Sequence, residues 1–227
     1  MPAPTKNLPE WSKVESVFLD MDGTLLDLHF DNHFWLEHVP LRFGERHGLS
    51  PAAALEALMP RFREKEGTLE WYCLDHWSRE LDMDILALKR EVEHLIQVLP
   101  GAEDALKGLR ALGKRLVLVT NAHADALGLK MERTRLEGYF DRIISSHDFG
   151  APKETQEFWR SLREVEAFEP EATLLADDSL PVLRAARDYG IRHLVAMRKP
   201  DTRRPARDID EFPAVEGLGE LLPDRGD

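Results

Sequence analysis

Two aspartates one residue apart, Asp20 and Asp22, follow directly on the apolar run "SVFL" and are succeeded by Gly23 and Thr24. An ionised carboxylate at the end of a core strand is costly unless something compensates it, so its presence points to use. Three further apolar runs reach polar residues in the same way. "RLVLVT" ends on Thr120 with Asn121 behind it, "TLLAD" ends on Asp177 with Asp178 behind it, and Lys153 lies in the loop after "RIISS". In an open parallel sheet the carboxyl ends of neighbouring strands face one crevice. Four carboxylates, a hydroxyl and an ammonium would then meet. Lys153 alone cannot balance them, so a hard cation with oxygen ligands is implied, and a polar, partly hydrated site suits Mg²⁺.

The elements that must position these residues are legible as five short runs of the kind buried on both faces: 16–20, 115–120, 142–146, 173–177 and 193–197. Helix-period segments near 124–137, 154–167 and 179–189 alternate with the later four, the signature of a parallel sheet with helical crossovers. Ser179 can cap the last helix and Gly190 stands where a left-handed stop is wanted. Between the first two strands the alternation fails. Residues 28–100 hold helical patterns only, one from Ser50 with Pro51 at its first position and one from Thr68. The expectation is an α/β, Rossmann-like core of residues 1–27 and 101–227 with an all-helical cap, 28–100, over the carboxyl end of the first strand. A short helix is expected near 215–222.

Composition narrows the partners. With 227 residues, 43% hydrophobic and 32% charged, the chain suits one soluble domain with a modest insertion. A net charge of −12 argues against nucleic acid or an anionic membrane as a general partner. The start "MPAPTKNLPEW" lacks the apolar core of a secretion signal, no long apolar run offers a membrane span, and the single Cys73, read as a free buried thiol, fits a reducing compartment. A cytoplasmic protein is expected. The nine histidines show no metal-ligand spacing. "GLRALGKR" mimics a phosphate loop but runs from helix into strand, the reverse of the required order.

Taken in order, "DMDGT", Thr120, Lys153 and "ADDS" resemble the four motifs of the haloacid dehalogenase superfamily, in the Mg²⁺-dependent phosphatase branch whose helical cap follows the first strand. The resemblance spans residues 16–197. It implies that Asp20 is the nucleophile forming an aspartyl-phosphate, and that Asp22 is the general acid and then the base. It further implies that Thr120 and Lys153 hold phosphoryl oxygens, and that Mg²⁺ joins Asp20, the Asp22 carbonyl and the acidic pair. Relatives often carry glycine where Asp177 stands. Asp178 is thus the first choice of ligand, with Asp177 binding directly or through water. Gly23 permits the sharp bend, and Thr24 is expected to tie the turn through its hydroxyl. A halide leaves without a proton, so Asp22 disfavours dehalogenation. A non-catalytic binding module would leave the filled chemical positions unexplained.

Longer blocks, "DMDGTLLDLHFDNHFW", "WYCLDHW", "TNAH" and "FGAPKE", resemble the bacterial GMP/IMP nucleotidase subfamily. That resemblance implies a purine 5′-nucleotide substrate, IMP or GMP. Phe34, Trp35, Trp71 and Tyr72 offer flat faces for a base, and Asn32 and His33 offer hydrogen bonds. Asn32 is the candidate reader of the base edge, Trp35 or Trp71 the stacking face, and Asn121 a further substrate contact. Against this, the same aromatics are the residues that would pack the cap's own helices together. A phosphatase or phosphomutase acting on a small sugar phosphate or phosphoglycolate is the alternative.

Overall fold

The computed structural model describes residues 10–222. The stretch read for a secretion signal and the outer limits of the expected core lie almost wholly outside them. Six parallel strands form one sheet: β1 (Ser16–Leu19), β2 (Arg115–Thr120), β3 (Arg142–Ser145), β4 (Thr173–Asp177), β5 (His193–Met197) and β6 (Ala214–Val215). Their order is β3-β2-β1-β4-β5-β6. The chain builds outward from β1 on one side and then crosses to build outward on the other, so the switch point falls at β1 and β4, where open α/β sheets bind ligands.

Unbroken apolar runs make sense because both faces are covered. Successive side chains alternate: Val17, Leu19, Leu116 and Leu118 enter one core cluster, while Phe18, Val117 and Val119 enter the other. β6 was missed in the sequence because it is two residues long. The helix expected near 215–222 is this strand followed by a 3₁₀ turn, Leu218–Leu221.

Between β1 and β2 the chain is helical. It runs through α1 (His29–His33), a π-helical turn (Phe34–His38), α2 (Val39–His47), α3 (Pro51–Lys65), α4 (Leu69–Tyr72), α5 (Leu74–Leu81) and α6 (Ile85–Glu91). The Ser50 side chain caps α3 by accepting from Ala53 N at 3.3 Å. The single helix expected from Thr68 is two, because Cys73 is extended (φ −86°, ψ 111°) and its Sγ accepts from His76 N to start α5. Cys73 is half-buried rather than buried. Exit and return of the insertion lie side by side, with Asp27 N donating to Gln97 O at 2.9 Å and Leu99 N to Leu25 O at 2.8 Å. Phe30, Phe34, Leu58, Phe62 and Trp77 of the insertion belong to the same core cluster as Val17, Leu19 and Leu116 of the sheet, so insertion and core share one continuous apolar interior.

After the return come α7 (Ala102–Ala111), α8 (Ala124–Thr134), α9 (Gln156–Val165) and α10 (Leu180–Tyr189). α8 stops three residues short of expectation, at Thr134, where Arg135 turns left-handed (φ 55°). Gly190 ends α10 at φ 111°, as its position suggested, whereas Ser179 stands at the N-cap without a side-chain hydrogen bond. No helix among the described residues is long and apolar enough to cross a membrane.

Candidate active site

Register brings the acids together. Leu19 pairs with Ala176 across β1 and β4, so the next residues, Asp20 and Asp177, emerge side by side at the carboxyl edge. Asp178 follows, and the three carboxylates each place an oxygen within 4.8 Å of the others. The turn after β1 is held by its backbone: Gly23 N donates to Leu26 O at 2.7 Å and Leu26 N to Met21 O at 2.8 Å. Gly23 is required here twice over, by φ of 90° and by space, since a Cβ would lie 2.7 Å from Asp178 Cγ. Thr24 does not tie the turn as expected. Its buried Oγ1 has no hydrogen-bond partner among the described residues.

Lys153 reaches the cluster from the loop after β3, where its backbone N donates to Asn121 Oδ1 at 2.9 Å. Its Nζ donates to Asp20 Oδ1 at 2.6 Å, Asp177 Oδ2 at 2.8 Å and Val119 O at 3.0 Å. All three ammonium protons are therefore engaged within the protein. Burial depresses the Lys153 ammonium, but Asp177 and Asp20 outweigh it and hold the group above its ordinary value. Asp177 also accepts from Ser179 N at 2.8 Å. Thr120 Oγ1 accepts from Ala122 N at 3.0 Å, which leaves its hydroxyl hydrogen to donate into the cavity it lines.

Three carboxylates against one lysine leave uncompensated charge. Burial, opposed by Lys153 and reinforced by Asp177, pushes Asp20 up to about 6. Burial, then Asp20 and Asp177, hold Asp178 well above its ordinary value, with Arg207 Nη2 3.7 Å away as weak compensation. Clustered oxygen donors strained by their own repulsion are the donor set of a hard divalent cation, so these residues fit the Mg²⁺ that the sequence suggests. Asp22 stands apart from them by its side chain. Its carboxylate pairs with Lys130 Nζ at 2.7 Å, and burial, opposed by Lys130, pushes it up to about 6.

Neither Lys130 nor the two residues beyond it, Asp31 and Lys89, is among the site residues expected from the sequence. It also pairs with Asp31 at 2.7 Å, and Lys89 Nζ holds the other Asp31 oxygen at 2.8 Å. A signal existed: Lys89 stands four residues after buried Ile85 and Lys130 four after buried Ala126, on the inward faces of α6 and α8. A lysine on a core face needs a partner.

One cavity of about 790 Å³ runs from Asp20, Asp22 and Asp178 to Trp35, Met59, Phe62 and Trp71 of the insertion. Trp35 and Trp71 line it, but they also pack on one another (ring centroids 6.4 Å apart) and on Phe62 and Trp77. These rings are thus both part of the insertion's packing and part of the cavity wall. Phe34 is fully buried and offers no face to a ligand. His33 pairs with Glu37 at 3.1 Å. Asn32 lines the cavity and donates one amide hydrogen to Asp201 Oδ2 at 2.7 Å, which leaves its second amide hydrogen for another acceptor. Tyr72 is tied to Glu154 at 2.7 Å, and Asn121 Nδ2 donates to the other Glu154 oxygen at 3.0 Å. Asn121 thus organises the loops around the cavity.

The sequence profile described as haloacid dehalogenase-like hydrolase matches residues 14–190. The GMP/IMP nucleotidase YrfG of Escherichia coli K12 is 38% identical over 213 residues, covering 94% of this chain and 96% of its own. Phosphoglycolate phosphatase 1 of Pseudomonas aeruginosa is 24% identical over 217 residues, covering 91% and 78%. Among solved structures, a HAD phosphatase from Thermococcus onnurineus matches with a TM-score of 0.76 at 24% identity, covering 92% of this chain and 96% of that one. The putative HAD-hydrolase YfnB of Bacillus subtilis, bound to magnesium, matches at 0.63 and 21%, covering 92% and 96%. At such identities the structural likeness speaks to the fold alone.

Proposed function

The chain belongs to the haloacid dehalogenase-like hydrolase family, and on that premise we propose that it is a Mg²⁺-dependent phosphomonoesterase acting on purine 5′-nucleotides, IMP or GMP. Asp20 attacks phosphorus through a carboxylate oxygen, and the ester oxygen leaves with the proton of Asp22. Asp22 then takes a proton from the water that attacks the aspartyl-phosphate, releasing phosphate and restoring Asp20. Asp20, Asp177, Asp178 and the Asp22 carbonyl would hold Mg²⁺, which supplies positive charge against the repulsion between a carboxylate and a phosphate dianion. Thr120 donates its hydroxyl hydrogen to a phosphoryl oxygen. Lys153, with its protons on Asp20 and Asp177, aims the nucleophile and shares a proton with the phosphoryl group as it arrives.

The observation that carries the nucleotide reading is the cavity, which joins this acid cluster to an aromatic wall within one space of about 790 Å³. A small sugar phosphate or phosphoglycolate would fill only its acidic end. The curated relative at 38% identity supports the same substrate class. We take residues 28–100 as the cap and 1–27 with 101–227 as the core, and we place the reaction in the cytoplasm, where a free half-buried Cys73 is at home.

Phosphate release from a panel of monoesters with Mg²⁺ tests the reading. IMP and GMP present an acceptor and a donor, O6 and N1–H, that AMP lacks at those positions, and a site built on that pair rejects AMP strongly. The expected kcat/KM for IMP or GMP is at least about tenfold above AMP, CMP and phosphoglycolate. A sugar phosphate or phosphoglycolate at the head of the panel would overturn the nucleotidase assignment and leave the phosphatase one standing.

A further inference from the structure

Asp22 and the cap are connected through a buried row of alternating charges that has no part in the proposed bond-making and bond-breaking. Lys130 is 2% exposed on α8 and pairs with two carboxylates at 2.7 Å each, Asp22 after β1 and Asp31 on α1. Asp31 is shared with Lys89, also 2% exposed, whose ammonium lies 4.8 Å and 4.3 Å from the ring centres of Phe30 and Phe34. Among the described residues Lys130 is the single ionic partner of the Asp22 side chain.

We propose that Lys130 is a positioning residue of the hydrolysis, fixing the Asp22 carboxylate at the cavity wall, and that Asp31 makes this fix depend on the seating of the cap. The proposal rests on the reading of Asp22 as acid and base. Two lysines buried at helix positions that would take Leu or Met are poor stabilisers, because desolvation offsets most of the attraction. Stability alone is therefore a weak account of them. Position is a better one: a partly buried aspartate at a cavity wall with no partner samples several rotamers, and proton transfer requires hydrogen-bond reach of the leaving oxygen. Asp31 and Lys89 both belong to the helical insertion, whereas Lys130 and Asp22 belong to the sheet side. A displaced insertion removes one of the two carboxylates on Lys130 and leaves the ammonium free to swing, so Asp22 is held in place when the cap is down.

The test is a double-mutant cycle read on two leaving groups in the full-length chain with Mg²⁺. On the best alkyl phosphate of the panel, Lys130→Met should lower kcat about 100-fold with KM within about threefold, the scale of a misplaced proton donor. The single-turnover burst from p-nitrophenyl phosphate, whose leaving group needs little protonation, should fall less than about fivefold. In an Asp22→Asn background the same substitution should cost less than about threefold, because the group it positions is gone. Lys130→Arg should recover at least about a tenth of the alkyl ester activity, and Asp31→Asn should show the same leaving-group bias at smaller size. Equal losses on both esters, or equal losses with and without Asp22, overturn the positioning role. If Lys130→Met does not melt cooperatively, Lys130→Arg and Asp31→Asn decide the matter on the same criteria. A native chain that hydrolyses no monoester overturns the reaction and the inference together, whereas preference for a sugar phosphate overturns the nucleotidase reading and leaves this one intact.

Discussion

Tyr72 of the insertion donates its phenolic hydrogen at 2.7 Å to Glu154, the residue that follows Lys153. Glu154 in turn accepts from Asn121 at 3.0 Å, and Asn121 accepts from Lys153 N at 2.9 Å. The loops after β2 and β3 are thus locked to each other and to the cap by three hydrogen bonds. Burial, then the neighbouring Glu154 charge, push the Tyr72 hydroxyl well above its ordinary range, so it remains a donor throughout the working pH range. The loop that carries Lys153 is thus held by the insertion and by the loop after β2.

Removing that link should separate cap attachment from chemistry. Tyr72→Phe keeps the ring and loses one hydrogen bond to a charged acceptor, a loss of about 1.5–3 kcal/mol at most. The expected result is a lower Tm, with kcat/KM for the preferred nucleotide falling severalfold. The p-nitrophenyl phosphate burst should stay within about twofold, since the site of attack is untouched. An equal fall on both substrates would place Tyr72 in the chemistry instead.

Asp20→Asn should abolish turnover and trapping by beryllofluoride while leaving the fold intact. An amide is a poor nucleophile of nearly the same size. Asp177 remains as a partner for Lys153 at 2.8 Å, so the buried ammonium keeps a counter-charge. Residual activity above about a percent of the native rate, once deamidation to aspartate is ruled out by mass, would remove Asp20 from its role.

The convergence of the candidate site residues was legible because a parallel sheet converts sequence order into spatial proximity. Asp20, Thr120 and Asp177 each end or directly follow a buried run, and the register of β1, β2 and β4 puts them at one edge. What the sequence concealed were relationships that depend on helix packing. Asn32 lines the cavity, and the residue that orients its amide, Asp201, lies 169 positions away. Trp35 and Trp71 carry aromatic faces in any reading, but only the packed structure has them both as mutual core and as cavity wall. Lys89 and Lys130 were visible as lysines on apolar helix faces, and the partner they share, Asp31, lies 58 and 99 positions away. The two-residue β6 carries too little pattern to announce itself.

Charge on Asp178 should make metal-free stability depend on pH in a defined direction. A carboxyl raised by folding favours the native state while protonated, and that contribution is lost as pH climbs from the ordinary carboxylate value through the raised one. In EDTA, Asp178→Asn should be near neutral at about pH 4 and increasingly stabilising relative to the native chain toward about pH 8. A gain of about 1 kcal/mol corresponds to roughly 2–4 °C in Tm for a chain of this size. Millimolar Mg²⁺ should reverse the order at neutral pH, because only the native chain keeps the full ligand set. A Tm difference that is flat with pH and indifferent to Mg²⁺ would take Asp178 out of the cation site.

The two cavity tryptophans should divide stability from recognition. Trp35 packs on Phe34, Phe62, Trp71 and Trp77 and has the Lys89 ammonium 5.6 Å from its ring centre, so Trp35→Leu removes core contacts on several sides at once. It should lower Tm markedly, in keeping with the ~3–5 kcal/mol range for deeply truncated core tryptophans, tempered here because leucine refills part of the volume. Trp71 sits on the four-residue helix α4, and its backbone oxygen, not its ring, receives the Trp77 indole hydrogen at 2.9 Å. That bond survives a side-chain change. Trp71→Leu should accordingly cost less Tm than Trp35→Leu while raising KM for IMP and GMP by about tenfold, the value of a lost base–aromatic stack. The rate on p-nitrophenyl phosphate, which does not reach that wall, should change less than about twofold. If Trp71→Leu lowers Tm as far as Trp35→Leu and leaves nucleotide KM unchanged, both rings are cap core and the base is recognised elsewhere in the cavity.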